Sequence, residues 1–148
     1  MTIQDVVGSA FNDVIGFRIA NWQADYVELL LELQPMHLNR SGVVHGGVLA
    51  TLIDAAGGFA GCYCSVPGNI RRALTLSMNT QFTGQTKSGV IKAVARRSAG
   101  GRKIFFASVE VFSEQGDLIA VGQGTYRYRT GSETPEGSPV ATSDANAG

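Results

Sequence analysis

One carboxylate stands apart in this chain. Asp54 lies within HGGVLATLIDAAGGFAGCYCS, residues 45–65, where His45 and Thr51 are the other strongly polar side chains before Ser65. A carboxylate in apolar surroundings is expensive to ionise unless its neighbours compensate it. It is therefore either held by backbone or a subunit contact, or reserved for acid–base or nucleophilic work. The same run opens with His45, Gly46 and Gly47. At a helix start the first amides are unpaired and lie at the positive end of the dipole, and glycine admits a ligand without a Cβ in the way. Such amides can hold the oxyanion of an attacked carbonyl, although glycines also simply let a loop turn into a helix. Asp54 lies seven residues beyond Gly47, about 700° around a helix and about 10.5 Å along it. The two cannot reach one atom together. If both act, one comes from a second subunit, and a two-fold dimer with antiparallel central helices would bring each Asp54 toward the partner's Gly46 and the partner's Gly47.

The elements around this run must do the positioning. Residues 45–65 are too long for a strand and read as a helix that is apolar nearly all round, to be enclosed by protein. A membrane span is the rival, but Asp54 near its middle would cost about 2.5–3.5 kcal/mol, and basic flanks are missing. Residues 3–14 read as a short, weak helix, 17–34 as a hairpin ended by Pro35, and 35–44 as a loop carrying His37 and Asn39. His37 is read as a surface or loop-packing residue. After Pro67 and Gly68 the period becomes two. Leu74, Leu76, Met78 and Phe82 alternate with Thr75, Ser77, Asn79 and Gln81, predicting a strand with one apolar and one polar face. Three further strands follow in meander order, over 87–98, 102–114 and 117–129. Residues 130–148 hold Gly, Ser, Thr, Pro, Ala and three acids without a large apolar cluster, and are expected as a disordered tail. The expectation is one α+β domain over 1–129, a curved antiparallel sheet wrapped around a long central helix.

Composition narrows the class. With 148 residues, 44% of them hydrophobic, the chain can bury a core without a metal or disulfide staple. Its net charge of zero argues against a nucleic-acid partner, although residues 1–129 carry twelve cations against nine acids, +3. Cys62 and Cys64 are the only cysteines, and no basic-then-apolar leader opens the chain, so a reducing cytoplasm is the expected compartment. Two positions apart on a helix, their side chains would face roughly opposite ways, and both are read as core packing rather than a disulfide or metal clip.

The residues Asn39-Arg-Ser-Gly-Val-Val-His45-Gly-Gly-Val-Leu-Ala-Thr-Leu-Ile-Asp54 resemble the hotdog-fold thioesterases of the phenylacetate-pathway type and the animal thioesterase superfamily member close to them. The resemblance rests on an Asn six before the His, the HGG, an Asp nine after the His, and the strand order. It implies hydrolysis of an acyl-CoA thioester to the free acid and CoA, with no metal or organic cofactor. The homodimer that the helix geometry asks for is expected to assemble further to a homotetramer, although the pattern does not fix the faces that would do so. By position, Asp54 would be the general base or nucleophile, and the Gly46 amide, with that of Gly47, would polarise the thioester carbonyl. Asn39 and His45 would orient the thioester or the attacking water. Thr75 falls where the family often places a Ser or Thr that holds this water. The turn Ser98-Ala99-Gly100-Gly101, flanked by Arg96, Arg97, Arg102 and Lys103, resembles the place where these enzymes meet the phosphates and pantetheine of CoA. Charged hairpin ends are also ordinarily just solvated.

Two other functions fit the same pattern. Hydration or dehydration of an acyl-CoA would use a His and an acid on one carbon pair. A binding module would hold acyl-CoA without turning it over, but residues 1–16 are too short and too weakly basic for the DNA-binding segment that family sensors carry. The acyl pocket is expected to be lined by apolar residues such as Leu52, Ala55, Gly58 and Phe59 from two chains.

Overall fold

The computed structural model describes residues 8–140. Ser9 caps a short helix α1 (Ala10–Ile15), its hydroxyl accepting the Asn12 N–H at 3.1 Å, and Gly16 ends it in the left-handed region at φ 90°. This helix is later and shorter than the 3–14 expected, and residues 3–7 of that expectation lie outside the described part. Strands β1 (Arg18–Gln23) and β2 (Tyr26–Glu32) then form the expected hairpin. In β2 the alternation puts Val27, Leu29 and Leu31 wholly inside.

After a 3-10 turn, Pro35–His37, the chain enters the main helix α2 (Gly46–Ala60). A two-residue strand β3 (Asn69–Ile70) precedes β4 (Ala73–Phe82), and the meander β5 (Val90–Gly100), β6 (Ile104–Phe112) and β7 (Leu118–Tyr128) completes a sheet of order β1-β2-β5-β6-β7-β4. Every pairing in that sheet is antiparallel. Helix α2 packs against β2, β4, β5, β6 and β7, as a sheet wrapped around one helix requires. Small inward residues, Ala93, Ala95 and Ala107, let it lie close, and Leu49, Leu52, Ile53, Ala56 and Ala60 fill the layer between.

Helix α2 stops at Ala60, not near Ser65. At that end the fully buried Phe105 ring occupies the space that a Cβ on Gly61 would need, and the Tyr128 hydroxyl donates to the Gly61 carbonyl at 2.7 Å and takes one of the end acceptors. Cys62 and Cys64 therefore lie beyond the helix, Cys62 buried and Cys64 half-buried. Gly61→Ala should destabilise the fold by roughly 1–3 kcal/mol through overpacking. A lowered urea midpoint with unchanged slope would bear this out, whereas an unchanged midpoint would mean that Phe105 has room to move.

Two further differences bear on the site. Helix α2 is not enclosed all round: Gly47, Thr51, Asp54, Ala55 and Gly58, spaced three and four apart, form a stripe that stays open in the single chain. And β4 does not keep one apolar face. A bulge between Thr75 and Ser77 shifts its register on β7, so Thr75 pairs with inward Tyr126, Met78 with inward Gly124, and Phe82 with inward Ala120. Thr75, Met78 and Phe82 thus share the helix side, while Ser77 and Asn79 share the outer side with Thr125 and Gln123.

The segment after β7 is ordered as far as it is described, contrary to the expected tail. Strand β8 (Ser138–Pro139) pairs with β3, the buried Ser132 hydroxyl accepts the Arg72 N–H at 2.8 Å, and the Ser132 carbonyl accepts Arg71 Nε at 3.0 Å. Here backbone groups supply the attachment that apolar side chains do not. Residues 141–148 lie outside the described part.

Candidate active site

The loop before α2 is built from its own polar groups. The Asn39 carboxamide oxygen accepts the Ser41 N–H at 2.9 Å and the Val43 N–H at 3.3 Å, closing the turn that leads to His45. His37, 2% exposed, is a structural tie rather than a surface residue. Its Nδ1 accepts the Gln34 N–H at 2.9 Å, so Nε2 carries the proton and donates to the Ile15 carbonyl at 2.7 Å. Its own carbonyl accepts the His45 N–H at 2.8 Å. Ring and backbone together, His37 thus joins the end of α1 to the residue that caps α2.

His45 is the N-cap of α2, and its Nδ1 accepts the Gly47 N–H at 2.8 Å. The Gly47 amide, expected as a second oxyanion donor, is thus engaged within its own loop. The Gly46 N–H has no acceptor among the described residues, and the Phe82 ring lies where a Cβ on Gly46 would touch it, at 3.4 Å. Gly46 and Asp54 lie eight residues apart on α2, about 12 Å along its axis, so one chain does not bring them together.

Asp54 is half-buried on the open stripe rather than sealed in the core. The Thr75 hydroxyl donates to its Oδ1 at 2.7 Å, a charge-assisted bond that ties β4 to the helix. The Tyr126 hydroxyl donates to the Asp54 carbonyl at 3.3 Å; burial above all, and the Asp54 charge after it, push that phenol well above its ordinary range, so it stays protonated. Gly57 must be small because a Cβ there would meet the Tyr126 oxygen.

Asp54 and Thr75 open onto a cavity of about 410 Å³, walled by Ala55, Gly58, Phe59, Cys62, Ala73 and Tyr126 and rimmed by Ser9, Asn12, Arg71, Arg72 and Arg129. Leu52, expected in such a wall, instead lies wholly in the core. Burial pushes the Cys62 thiol up to about 12, so it stays protonated at neutral pH and offers no nucleophile. Sequence reasoning misses these arginines because they fall in short links at strand ends, with no periodicity to place them.

The six residues at the β5–β6 turn do not act as one patch. Arg96 lies on the outer face, its guanidinium 4.6 Å above the Tyr26 ring. Arg97 pairs with inward Ala107 and lines a second cavity of about 330 Å³ with Gly101, Tyr128 and Arg71, its Nη2 donating to the Gly101 carbonyl at 3.4 Å. Gly100, Gly101, Arg102 and Lys103 are exposed at the tip. Among the described residues no group of His, Cys, Asp and Glu could hold a metal, and no helix is long and apolar enough to cross a membrane.

A carboxylate on a central helix, bonded to a hydroxyl of the antiparallel sheet around it at the edge of a cavity, agrees with what comparison adds. The model of the thioesterase superfamily matches residues 41–120, more than half of the chain. The chain belongs to that superfamily. A candidate esterase of Schizosaccharomyces pombe is 33% identical over 102 residues, 68% of this chain, and the match spans 62% of that protein's length. Acyl-coenzyme A thioesterase 13 of Mus musculus is 31% identical over 97 residues, 64% of this chain and 67% of the mouse protein. Among solved structures, a variant of the phenylacetic acid degradation protein PaaI of Thermus thermophilus superposes with a TM-score of 0.69 at 26% identity, covering 80% of this chain and 98% of that one. The hotdog architecture and the likeness to PaaI-type thioesterases expected from the sequence are thereby established for this superfamily member.

Proposed function

We propose that this member of the thioesterase superfamily hydrolyses an acyl-CoA thioester to the free acid and CoA, with Asp54 as general base or nucleophile. The observation that carries the reading is the Thr75–Asp54 hydrogen bond at the wall of an open cavity. The hydroxyl fixes one carboxylate oxygen and leaves the other for a water or a carbonyl carbon. Attack turns the thioester carbonyl into an oxyanion, which the Gly46 amide of the partner subunit would meet at the helix start. His45 would act through the loop it caps and Asn39 by holding that loop's turn. The cations at the β5–β6 tip, Arg102 and Lys103 above all, would meet the CoA phosphates, with Arg96, Arg97, Gly100 and Gly101 shaping the turn.

The reading needs a homodimer, and two features support one. The open stripe of α2 carries small residues, and β4 is a sheet edge with Leu74 46%, Leu76 50% and Phe82 56% exposed, a surface that another copy would cover. The mouse relative's name supports acyl-CoA as the substrate class. Further pairing to a homotetramer and a cytoplasmic setting belong to the same proposal, as does operation without a metal or organic cofactor.

Thiol release from aryl-, short- and medium-chain acyl-CoAs tests it. Cleavage of at least one ester at enzymatic rate is expected. Tight binding of an ester that stays intact for hours would make the chain a binding module instead, and water addition to crotonyl-CoA without cleavage would make it a hydratase.

A further inference from the structure

Arg71 is not a loosely solvated surface cation. It lies in the two-residue link between β3 and β4, its guanidinium stacked 4.4 Å above the Tyr128 ring and its Nε held by the Ser132 carbonyl at 3.0 Å. Tyr128 is itself fixed by its 2.7 Å hydrogen bond to the Gly61 carbonyl, at the end of the helix that carries Asp54. So Arg71 is oriented in advance, at the rim of the cavity onto which Asp54 and Thr75 open. Arg129, just beyond β7, stands at the rim of the same cavity, and among the described residues Asp54 is the carboxylate of the lining. Closing an apolar acyl group over Arg71 and Arg129 would strip water from their guanidinium N–H groups and offer no acceptor in its place. A carboxylate would satisfy a guanidinium with two parallel N–H···O bonds.

We propose that the arginine side of the Asp54 cavity recognises a carboxylate at the far end of the acyl group, so that the preferred substrates are thioesters of dicarboxylic acids. This rests on the thioesterase reading and adds its substrate class. The phosphates of CoA are the other anion such arginines could meet. In the reading above they have their own cations at the β5–β6 tip, where Arg102 and Lys103 are exposed.

The test compares glutaryl and pentanoyl esters, equal in carbon number and differing in the terminal carboxylate, each presented on CoA and on N-acetylcysteamine, which lacks phosphates. The expected result is a glutaryl preference in kcat/KM on both thiols, reduced about tenfold or more by Arg71→Gln and by Arg129→Gln. Arg71→Lys should keep part of it, since the charge stays and the bidentate geometry goes. Should Arg71→Gln fail to fold, by its unfolding midpoint, Arg129→Gln and Arg71→Lys decide the matter. Equal rates for glutaryl and pentanoyl esters would overturn the proposal and leave the thioesterase reading standing. So would variants that raise KM for both CoA esters yet leave the N-acetylcysteamine esters alone, which would assign the arginines to phosphate. Absence of cleavage of every ester would remove both readings.

Discussion

Asp54→Asn should lower thiol release by about 10² to 10⁴ while leaving the unfolding midpoint nearly in place. The size follows from what the side chain is asked to do. An amide has the same shape as the carboxylate and its oxygen still accepts the Thr75 hydroxyl, so the tie between α2 and β4 that is 2.7 Å long in the wild type survives. What disappears is the negative charge, and with it both proton abstraction and nucleophilic attack. Because Asp54 is half-buried on an open stripe, the substitution leaves no unpaired group sealed in the core. The loss should fall on kcat rather than KM. Running one turnover in oxygen-18 water then separates the two mechanisms, since label enters the Asp54 carboxylate only if an anhydride forms on it. A variant as fast as wild type would reduce Asp54 to a strand anchor.

The second large effect concerns the helix start. Gly46 is the first helical residue after the cap His45, the position where proline is best tolerated, and His45 already has the extended backbone, φ −68° and ψ 136°, that precedes a proline well. Gly46→Pro therefore removes the N–H and little else, and with Gly47 bound to His45 Nδ1 no second amide takes over. A fall of about 10² to 10³ in kcat is expected. Mixing this variant with Asp54→Asn in one heterodimer should restore part of the activity, because one of the two sites then combines an intact Asp54 with an intact Gly46. Two inactive parents that give an inactive mixture would place both groups in one chain's site, against the two-subunit arrangement.

Much of the architecture is legible in the amino-acid order. Helix α2 announces itself by an apolar run too long for a strand, and the meander by its period of two. The resemblance offers Thr75 as the holder of a water beside the acid, and in the structure its hydroxyl bonds the Asp54 carboxylate itself. What escapes is set by contacts between residues distant in sequence. The helix end is packed by Phe105 and capped by Tyr128, more than forty residues away. His37 looks like a loop residue because its partner is the Ile15 carbonyl, a backbone group that no side-chain pattern reports. Residues 130–140 lack a large apolar cluster yet are held by hydrogen bonds from Arg71, Arg72, Ser65 and Asn69. The alternation in β4 does mark a strand, but not the single apolar face it suggests, since a bulge leaves no trace in composition.

That bulge has an evolutionary corollary. Around Leu76 the strand changes parity, and only because of this do Thr75, which serves the acid, and Phe82, which covers the helix start, point the same way. An odd-numbered insertion or deletion in the regular part of the strand, from Ser77 to Gln81, would turn one of the two outward, whereas loss of the bulged residue itself would leave an even spacing and both inward, so single-residue indels should be confined to the bulge.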